Sequence, residues 1–290
     1  MRVVVTHRHR FVIASAAVAA AAAFLYYLPA PVRAQVPAAG SSYAPPRTPE
    51  GQPDLQGVWR AWNLAKYDLE DHGAKPGVPA GRGFVVDPPD GKIPYKPWAI
   101  EQRRKNYEGT KTLDPAANAD PLAKCFLPGV PRITYLGWPL QILQMPDQVA
   151  IYYEFSHRRR FAALGNKPLP SADDASNWMG VSRARFDGNS LVITVTNFNG
   201  YAWFDMAGNF SSDALRVVER YTPTGPDTLQ YEATMEDPNV FTRPWTIRMT
   251  LQRQKDIGLL EYECTDMLDQ MGVPHTWPRD FETYRGPEAR

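Results

Sequence analysis

The chain has few of the residues that carry nucleophilic or metal-dependent chemistry. Its 290 residues include two cysteines and five histidines, and only His72, His157 and His275 follow the first 34 residues. The motifs Gly-x-Ser-x-Gly, Gly-x-x-x-x-Gly-Lys, His-Glu-x-x-His and Cys-x-x-Cys do not occur. Their absence argues against a serine hydrolase, a nucleotide hydrolase and a zinc protease. We therefore expect neither a metal nor a cofactor.

The chain also has no large excess of charge of one sign. Lys and Arg total 32 and Asp and Glu total 31, and four of the arginines (Arg2, Arg8, Arg10 and Arg33) lie in a leader without acids. The remainder is slightly acidic and has no electrostatic footprint for a phosphate backbone, so we expect no nucleic-acid partner. A composition of 43% hydrophobic and 22% charged residues excludes disorder, collagen-like repeats and a polytopic membrane protein.

Residues 1–34 have the pattern of a secretory signal peptide. Basic residues precede an apolar run over Phe11–Leu28, and Val32-Arg33-Ala34 forms a small-x-small cleavage site. The alternative is an uncleaved membrane anchor, since the run is nearly long enough to span a bilayer. Either case predicts a periplasmic or secreted body, with membrane contact only if the leader stays uncleaved. Cys125 and Cys264 are then expected to form a disulfide, with two free buried thiols as the alternative.

Proline divides the remainder into a single domain with several parts. Most of the 28 prolines precede residue 140, and this half cannot form regular sheet. We predict a flexible tether over 35–53 and one domain over 54–290. Within that domain, 54–139 form a Pro-rich wrap with a short helix at Pro97–Tyr107, 140–265 form a meander and 266–290 form a C-terminal tail.

The meander shows period-two alternation interrupted by turn residues, which predicts antiparallel strands. Together with an earlier strand at Gly57-Val58-Trp59, the fold class is all-β: an antiparallel up-and-down, lipocalin-like barrel or a strongly curved meander. The Gly-x-Trp sequence is similar to the first strand of lipocalins. The predicted strands are Leu140–Met145, Val149–Phe155, Arg159–Leu164, Met179–Phe186, Leu191–Phe198, Leu215–Tyr221, Thr228–Met235, Thr246–Gln252 and Leu259–Cys264.

Alternation also predicts which side chains face the barrel interior. Glu219 is in phase with Leu215, Val217 and Tyr221, which places a carboxylate among apolar residues and calls for a partner or a raised pKa. Arg185 or Arg243 are the candidate partners. Apolar stripes at 149–155 and 245–251 form either plain core or the wall of a ligand cavity. The face that begins at Leu191 becomes polar at its end, with Asn197 and Asn199.

The densest polar and aromatic stretch, residues 197–220, predicts a small-molecule site at the barrel mouth. The candidates for proton transfer are Glu219, Asp205, His157 and Tyr153. Asp205 could equally be a turn residue, and His157 belongs to a basic strand end that is either solvated or captures an anionic group. The candidates for ligand binding are Trp178, Arg185, Asn197, Asn199, Tyr201, Trp203, Tyr231 and Trp245.

Several long motifs resemble a large family of secreted bacterial proteins without an assigned activity. They are Pro53–Trp59, Asp87–Tyr95, Cys125–Arg132, Trp178–Gly180, Asn197–Asn199 and Glu236–Trp245. The resemblance covers nearly all of residues 50–265. The family pattern has an acidic residue at Val181, a polar residue at Gly200 and histidines at Ser211 and Arg216. Loss of these groups implies either a site re-specialised for a hydrophobic substrate or drift in a non-catalytic binder.

Two functional hypotheses follow. The first is a cofactor-independent enzyme of the isomerase, cyclase, lyase or hydratase type that acts by general acid/base chemistry on a small hydrophobic or aromatic molecule. The second is a lipocalin-like carrier or sensor of a similar ligand. The enzyme requires a carboxyl group with a raised pKa that faces a cavity, whereas the carrier predicts Glu219 fully paired with an arginine. The sequence slightly favours the enzyme, and it leaves the oligomeric state open.

Overall fold

The computed structural model describes residues 43–75, 78–112, 114–166 and 177–273. The predicted signal peptide, residues 35–42 of the predicted tether, His275 and the end of the C-terminal tail lie outside the described residues. No helix in the described part is both long and apolar enough to cross a membrane.

The fold is a mixed β-barrel, which confirms the predicted fold class. Within the described residues, nine strands close into a ring in the order β1-β3-β4-β5-β6-β7-β8-β9-β10, and β10 pairs back with β1. A three-residue strand, β2, adds to the free side of β10 at its start. The strands are β1 (Gly57–Arg60), β2 (Val85–Asp87), β3 (Leu140–Met145), β4 (Gln148–Tyr153), β5 (Arg159–Leu164), β6 (Val181–Asp187), β7 (Ser190–Thr196), β8 (Arg216–Gly225), β9 (Thr228–Glu236) and β10 (Trp245–Gln254).

One pair departs from the up-and-down pattern. β5 and β6 are parallel, with Ala162 opposite Ser182 and Leu164 opposite Ala184, whereas the other neighbours in the ring are antiparallel. A parallel pair needs a crossover longer than a hairpin turn. The chain between Leu164 and Val181 supplies that length, and closure removes the free edges that an open sheet would expose.

The strand registers define one end of the barrel as the upper end. Trp59 lies opposite Leu140 and Leu140 lies opposite Tyr153, while Val181 lies opposite Thr196 and Trp245 lies opposite Met235. The loops 61–84, 128–139, 197–215 and 237–244 therefore meet at this end. The hairpin turns at Asp187-Gly188 and Gly225–Thr228 lie at the other end.

Period-two alternation places large side chains inside the barrel, as predicted. The inward residues of β8, Val217, Glu219 and Tyr221, are each fully buried, and their neighbours are partly or fully exposed. Trp245, Ile247 and Leu251 of β10 are likewise buried. Aromatic and β-branched side chains stabilise such a core through the apolar area they remove from water.

The Gly-x-Trp sequence of β1 has a specific packing role. The guanidinium of Arg253 lies 4.1 Å from the ring of buried Trp59, and its Nη1 donates to the carbonyl of Gln56. Gly57 has a φ of +132°, and a Cβ there would lie 2.2 Å from Nη1 of Arg253. Glycine is thus required both for the backbone conformation and for the close approach of the arginine.

The Pro-rich wrap covers the upper end. Helix α1 (Pro97–Gly109) begins at a proline, which confirms the predicted helix, and two 3₁₀ turns follow at Pro121–Lys124 and Arg132–Tyr135. Buried Arg132 donates two hydrogen bonds to Asp120, at 2.9 and 2.6 Å. Two parallel charge-assisted bonds fix the geometry of residues 120–136, which we call the cap segment.

The C-terminal part differs from the prediction. Leu259–Cys264 was expected as a strand, but only Tyr262 makes a single bridge, to Phe155, and helix α2 (Cys264–Gln270) begins at the cysteine. The ring is already closed by the pairing of β10 with β1, so residues 259–264 are not needed to complete it. The predicted disulfide between Cys125 and Cys264 is present and packs with buried Leu136, Phe155 and Leu268.

Candidate functional site

A recess opens at the upper end between the cap segment and the loop that joins β7 to β8. Its cavity volume is about 10 Å³. That is about the room one water molecule needs. The recess is lined by Pro128, Val130, Phe198, Asn199, Gly200, Ala202, Trp203, Phe204, Ser211 and Leu215.

Two side-chain donors of this recess have no acceptor from the described part of the protein. They are Nε1 of Trp203, which is 2% exposed, and Nδ2 of Asn199. The amide of Asn199 has a fixed orientation because its Oδ1 accepts a 3.1 Å hydrogen bond from the backbone N–H of Tyr201. Buried N–H groups are rarely left without an acceptor in folded proteins. Both donors are therefore suited to an acceptor atom in the recess.

An aromatic stack borders the recess. The rings of Phe126 and Trp178 are 5.4 Å apart and nearly parallel, at 8°, and the ring of Tyr201 lies 5.9 Å from that of Trp178. Beside the stack, residue 129 lies very close to Ala202. Gly129 allows this approach, because its φ is +70° and a Cβ there would lie 2.6 Å from the Cβ of Ala202. The stack gives the rim a rigid apolar wall.

The polar end of β7 differs from the predicted alternation. Asn197 adopts a left-handed conformation, with a φ of +64°, which asparagine tolerates better than most residues. The alternation of the strand stops at this residue, so buried Phe198 lines the recess next to Asn199. The structure thus brings Asn199 and Trp203 together at the recess, with Trp178 and Tyr201 beside it.

A second, deeper group of polar residues lies inside the barrel around Glu219. The Oε2 atom of Glu219 accepts a 2.6 Å hydrogen bond from Nη1 of Arg160. Its Oε1 atom accepts 2.9 Å hydrogen bonds from the hydroxyls of Tyr221 and Tyr231. Neither predicted partner of Glu219 is used, since Arg243 pairs with Asp87 and Arg185 lies near Asp187. We call Arg160, Glu219, Tyr153, Tyr221 and Tyr231 the barrel cluster.

The ionisation of the barrel cluster follows from burial and from the ion pair. Burial raises the pKa of Tyr153 to about 12, although the charge of Arg160 opposes this shift. Burial and then the carboxylate of Glu219 raise the pKa of Tyr221 and of Tyr231 well above the usual value. Burial alone would lower the pKa of Arg160, but the carboxylate of Glu219 outweighs it and raises this pKa. The tyrosines therefore remain protonated donors and Arg160 remains charged at neutral pH.

Asp205 belongs to a different network from Glu219. Its fully buried carboxyl group accepts hydrogen bonds from the backbone N–H groups of Leu69, Ala207 and Asn209, and from Nδ2 of Asn209. This is the arrangement of a turn residue, the alternative that the sequence allowed. Burial and the nearby carboxylate of Asp68 raise the pKa of Asp205 to about 7. Asp205 and Glu219, both candidates for proton transfer, therefore belong to separate networks.

The remaining predicted site residues lie apart from both groups or within the core. His157 has a half-exposed side chain, 3.8 Å from Glu263, and its Nε2 accepts from the backbone N–H of Tyr262. Arg185 is 62% exposed on the outer face of β6. Trp245 is fully buried and packs edge-on against Phe204.

Sequence reasoning missed Arg160 and Thr134. Arg160 stands in the run Arg158–Arg160, which resembles a solvated strand end, yet the burial of β5 alternates so that Arg160 and Ala162 face inward while Arg159 and Phe161 face outward. Arg160 stands two residues before Ala162 and so shares its inward face, which is the pattern that could have identified it. Thr134 lies in the cap segment and is fully buried, where its hydroxyl lowers the pKa of Tyr153 and Tyr221. No sequence pattern links the cap to the strands.

Comparisons with known proteins add little to this description. No family model and no curated protein matches the chain, so the resemblance to the secreted bacterial family remains a prediction. Among solved structures, a mutant of the fluorescent protein UnaG is similar over 70% of this chain and 97% of that chain, at 10% identity and a TM-score of 0.29. A likeness this weak supports no conclusion about the present chain. The description of a closed β-barrel rests on the strand pairings themselves.

Proposed function

We propose that this protein is a carrier or sensor of a small, largely apolar molecule that carries a hydrogen-bond acceptor. The ligand binds in the recess at the upper end. The observation that carries the proposal is a pair of N–H donors, on Trp203 and Asn199, that have no acceptor among the described residues and belong to a recess with otherwise mostly apolar walls. Ligand sites typically combine apolar walls with a few polar groups that fix orientation.

The surroundings of Glu219 support a carrier over the acid/base enzyme that the sequence favoured. A general acid or base needs a proton that it can exchange with a substrate. Both oxygens of Glu219 are occupied by donors from Arg160, Tyr221 and Tyr231, and the side chain is fully buried. These three donors occupy most of the acceptor positions of the carboxylate, and burial separates it from solvent, so it is poorly placed to exchange a proton with a substrate.

The size of the recess sets the scale of the ligand. Its present free space accommodates about one water molecule, so a ligand must displace rim side chains when it binds. Tyr201 and Ala202 are partly exposed and belong to the loop between β7 and β8. We therefore expect the preferred ligand to be a small aromatic ketone or a similar flat carbonyl compound that packs beside Trp178.

The test uses acetophenone and ethylbenzene, two probes of nearly equal size of which only the first has a carbonyl oxygen. We expect acetophenone to bind about fivefold more tightly, as one neutral hydrogen bond contributes about 1 kcal/mol. Titration of the protein labelled with ¹⁵N-tryptophan measures both affinities. The indole N–H signal of Trp203 is expected to shift with acetophenone and not with ethylbenzene.

Two variants provide the controls. Trp203→Phe removes the N–H group but keeps an aromatic ring, so it assigns the indole signal and is expected to abolish the preference for acetophenone. Trp62→Phe is the matched control, because Trp62 is 64% exposed on the surface. Equal affinities for the two probes, or an unchanged Trp203 signal at saturating acetophenone, would refute the proposal.

A further inference from the structure

Inside the barrel, Arg160 presents one edge of its guanidinium group without an acceptor. The Nη1 atom donates to Glu219, whereas Nε and Nη2 have no hydrogen-bond partner among the side chains and backbone of the described residues. The residue is 4% exposed. Its two unpaired nitrogens form the side of the guanidinium whose N–H bonds run parallel, which is the side that binds planar acceptors in a bidentate manner.

A buried edge of this kind has a high energetic cost. A buried donor without an acceptor destabilises the folded state, and a charged group does so more strongly. Native proteins leave few such groups, and an unsatisfied one calls for a specific explanation. Arg160 cannot escape to solvent because it projects from an inward position of β5, next to Ala162 and opposite Ile151 of β4.

The charge of the cluster decides which acceptor fits. The positive charge of Arg160 is already balanced by Glu219 at 2.6 Å. A bound carboxylate would add an uncompensated negative charge to a buried site, which strongly disfavours its binding. An uncharged carbonyl oxygen avoids this cost, and its two lone pairs can accept from both N–H groups.

The residues around Arg160 suit a small uncharged molecule. Tyr153 is inward and nearly fully buried, and it lies two residues beyond Ile151 on the same face of β4, so it is a diagonal neighbour of Arg160. Its protonated hydroxyl is a further polar group in the cluster. The inward residues Ile151, Ile193 and Val195 supply apolar surface on the strands that carry or neighbour the cluster.

We propose that the free edge of Arg160 is a second ligand site, specific for the carbonyl group of a small uncharged ester. This second site is separate from the recess at the upper end, because residues of the barrel cluster form it. It is expected whether or not acetophenone binds at Trp203. The role assigned to Arg160 is direct contact with the ligand. Glu219 acts through Arg160 as the residue that sets the charge preference.

The experiment compares methyl acetate with acetate, since the two share a carbonyl group and differ in charge. The readout is the Nε–H signal of Arg160 in the ¹⁵N-labelled full chain, assigned by its loss in Arg160→Lys. Titration of the wild-type signal is expected to give a dissociation constant for methyl acetate at least tenfold lower than that for acetate. Arg160→Lys keeps the charge opposite Glu219 but lacks the second edge. In this variant, saturation transfer from the protein to the methyl protons of methyl acetate reports binding, and it is expected to be lost while the variant remains folded.

A charge swap separates recognition from a purely structural role. Glu219→Gln leaves Arg160 unbalanced, so we expect acetate binding to strengthen at least tenfold relative to methyl acetate binding. Arg159→Gln, a change of charge at the exposed neighbouring position, is the matched control and is expected to change neither affinity. No shift of the Arg160 signal with methyl acetate, or no gain for acetate in Glu219→Gln, overturns the inference. The Trp203 signal reports the recess separately, so either proposal can fail alone.

Discussion

Replacement of Arg160 by Met is the perturbation that tests the barrel cluster most severely. The change removes the charged partner at 2.6 Å from Glu219 and leaves the two tyrosine hydroxyls at 2.9 Å as its donors. Glu219 has no access to solvent, so its charge would remain buried and only partly compensated. Breaking a buried pair in this way costs about 3–5 kcal/mol, and we expect a loss of this size in the free energy of unfolding.

The assay is urea denaturation monitored by tryptophan fluorescence and far-ultraviolet circular dichroism at neutral pH. The double variant Arg160→Met/Glu219→Leu removes both charges, and it is expected to recover most of the loss, since apolar replacement of a whole buried pair is often nearly neutral. Arg159→Met is the control, because Arg159 is exposed on the same strand. A loss below about 1 kcal/mol for Arg160→Met, or no recovery in the double variant, would refute the role assigned to the pair.

Three further predictions concern the parts that hold the barrel and its loops in place. The pKa of Asp205 is raised to about 7, so the folded state binds more protons than the unfolded state between about pH 4 and 7. The free energy of unfolding should therefore fall as pH rises through this range, by about 1 kcal/mol per pH unit, and then level off. Urea titrations at several pH values should show this slope, and Asp205→Asn should lack it; a wild-type slope that persists in Asp205→Asn would contradict the assignment. Replacement of both Cys125 and Cys264 by Ala removes a cross-link between residues 139 positions apart. The free energy of unfolding should fall by about 5 kcal/mol on a chain-entropy estimate, and an unchanged midpoint in chemical denaturation would contradict this. Gly57→Ala places a Cβ against Arg253 at a φ of +132° and should lower the free energy of unfolding by about 1–3 kcal/mol. Gly188→Ala also has a positive φ but open space around its Cβ position, so it should lower this free energy less in the same thermal-unfolding measurement.

The barrel strands could be predicted closely because one face of each strand is buried. Strands β3 and β5 have the predicted bounds, since alternation and flanking turn residues determine where a half-buried strand begins and ends. The parallel pairing of β5 with β6 could not be predicted in the same way. Alternation describes which face of a strand is apolar, and it contains no information on the direction of the neighbouring strand.

The candidate site was predictable in composition but not in assembly. The stretch that contains Asn199 and Trp203 does line a recess, because loops with mixed aromatic and polar residues are placed at barrel mouths. The partner of Glu219 was missed because Arg160 lies 59 residues away, and strand parity alone cannot select among several arginines. The cap residue Thr134 was missed because its position depends on the Pro-rich wrap, whose path follows from tertiary packing.

The recess is proposed to bind a small acceptor-bearing molecule through Trp203 and Asn199. A crystal structure of the full chain with acetophenone would show whether these two donors hold the ligand. Our account predicts the ketone oxygen about 3 Å from Nε1 of Trp203 and Nδ2 of Asn199, with its ring beside Trp178. Acetophenone bound elsewhere with these two donors still unpaired, or no bound acetophenone at saturating concentration, would contradict the account.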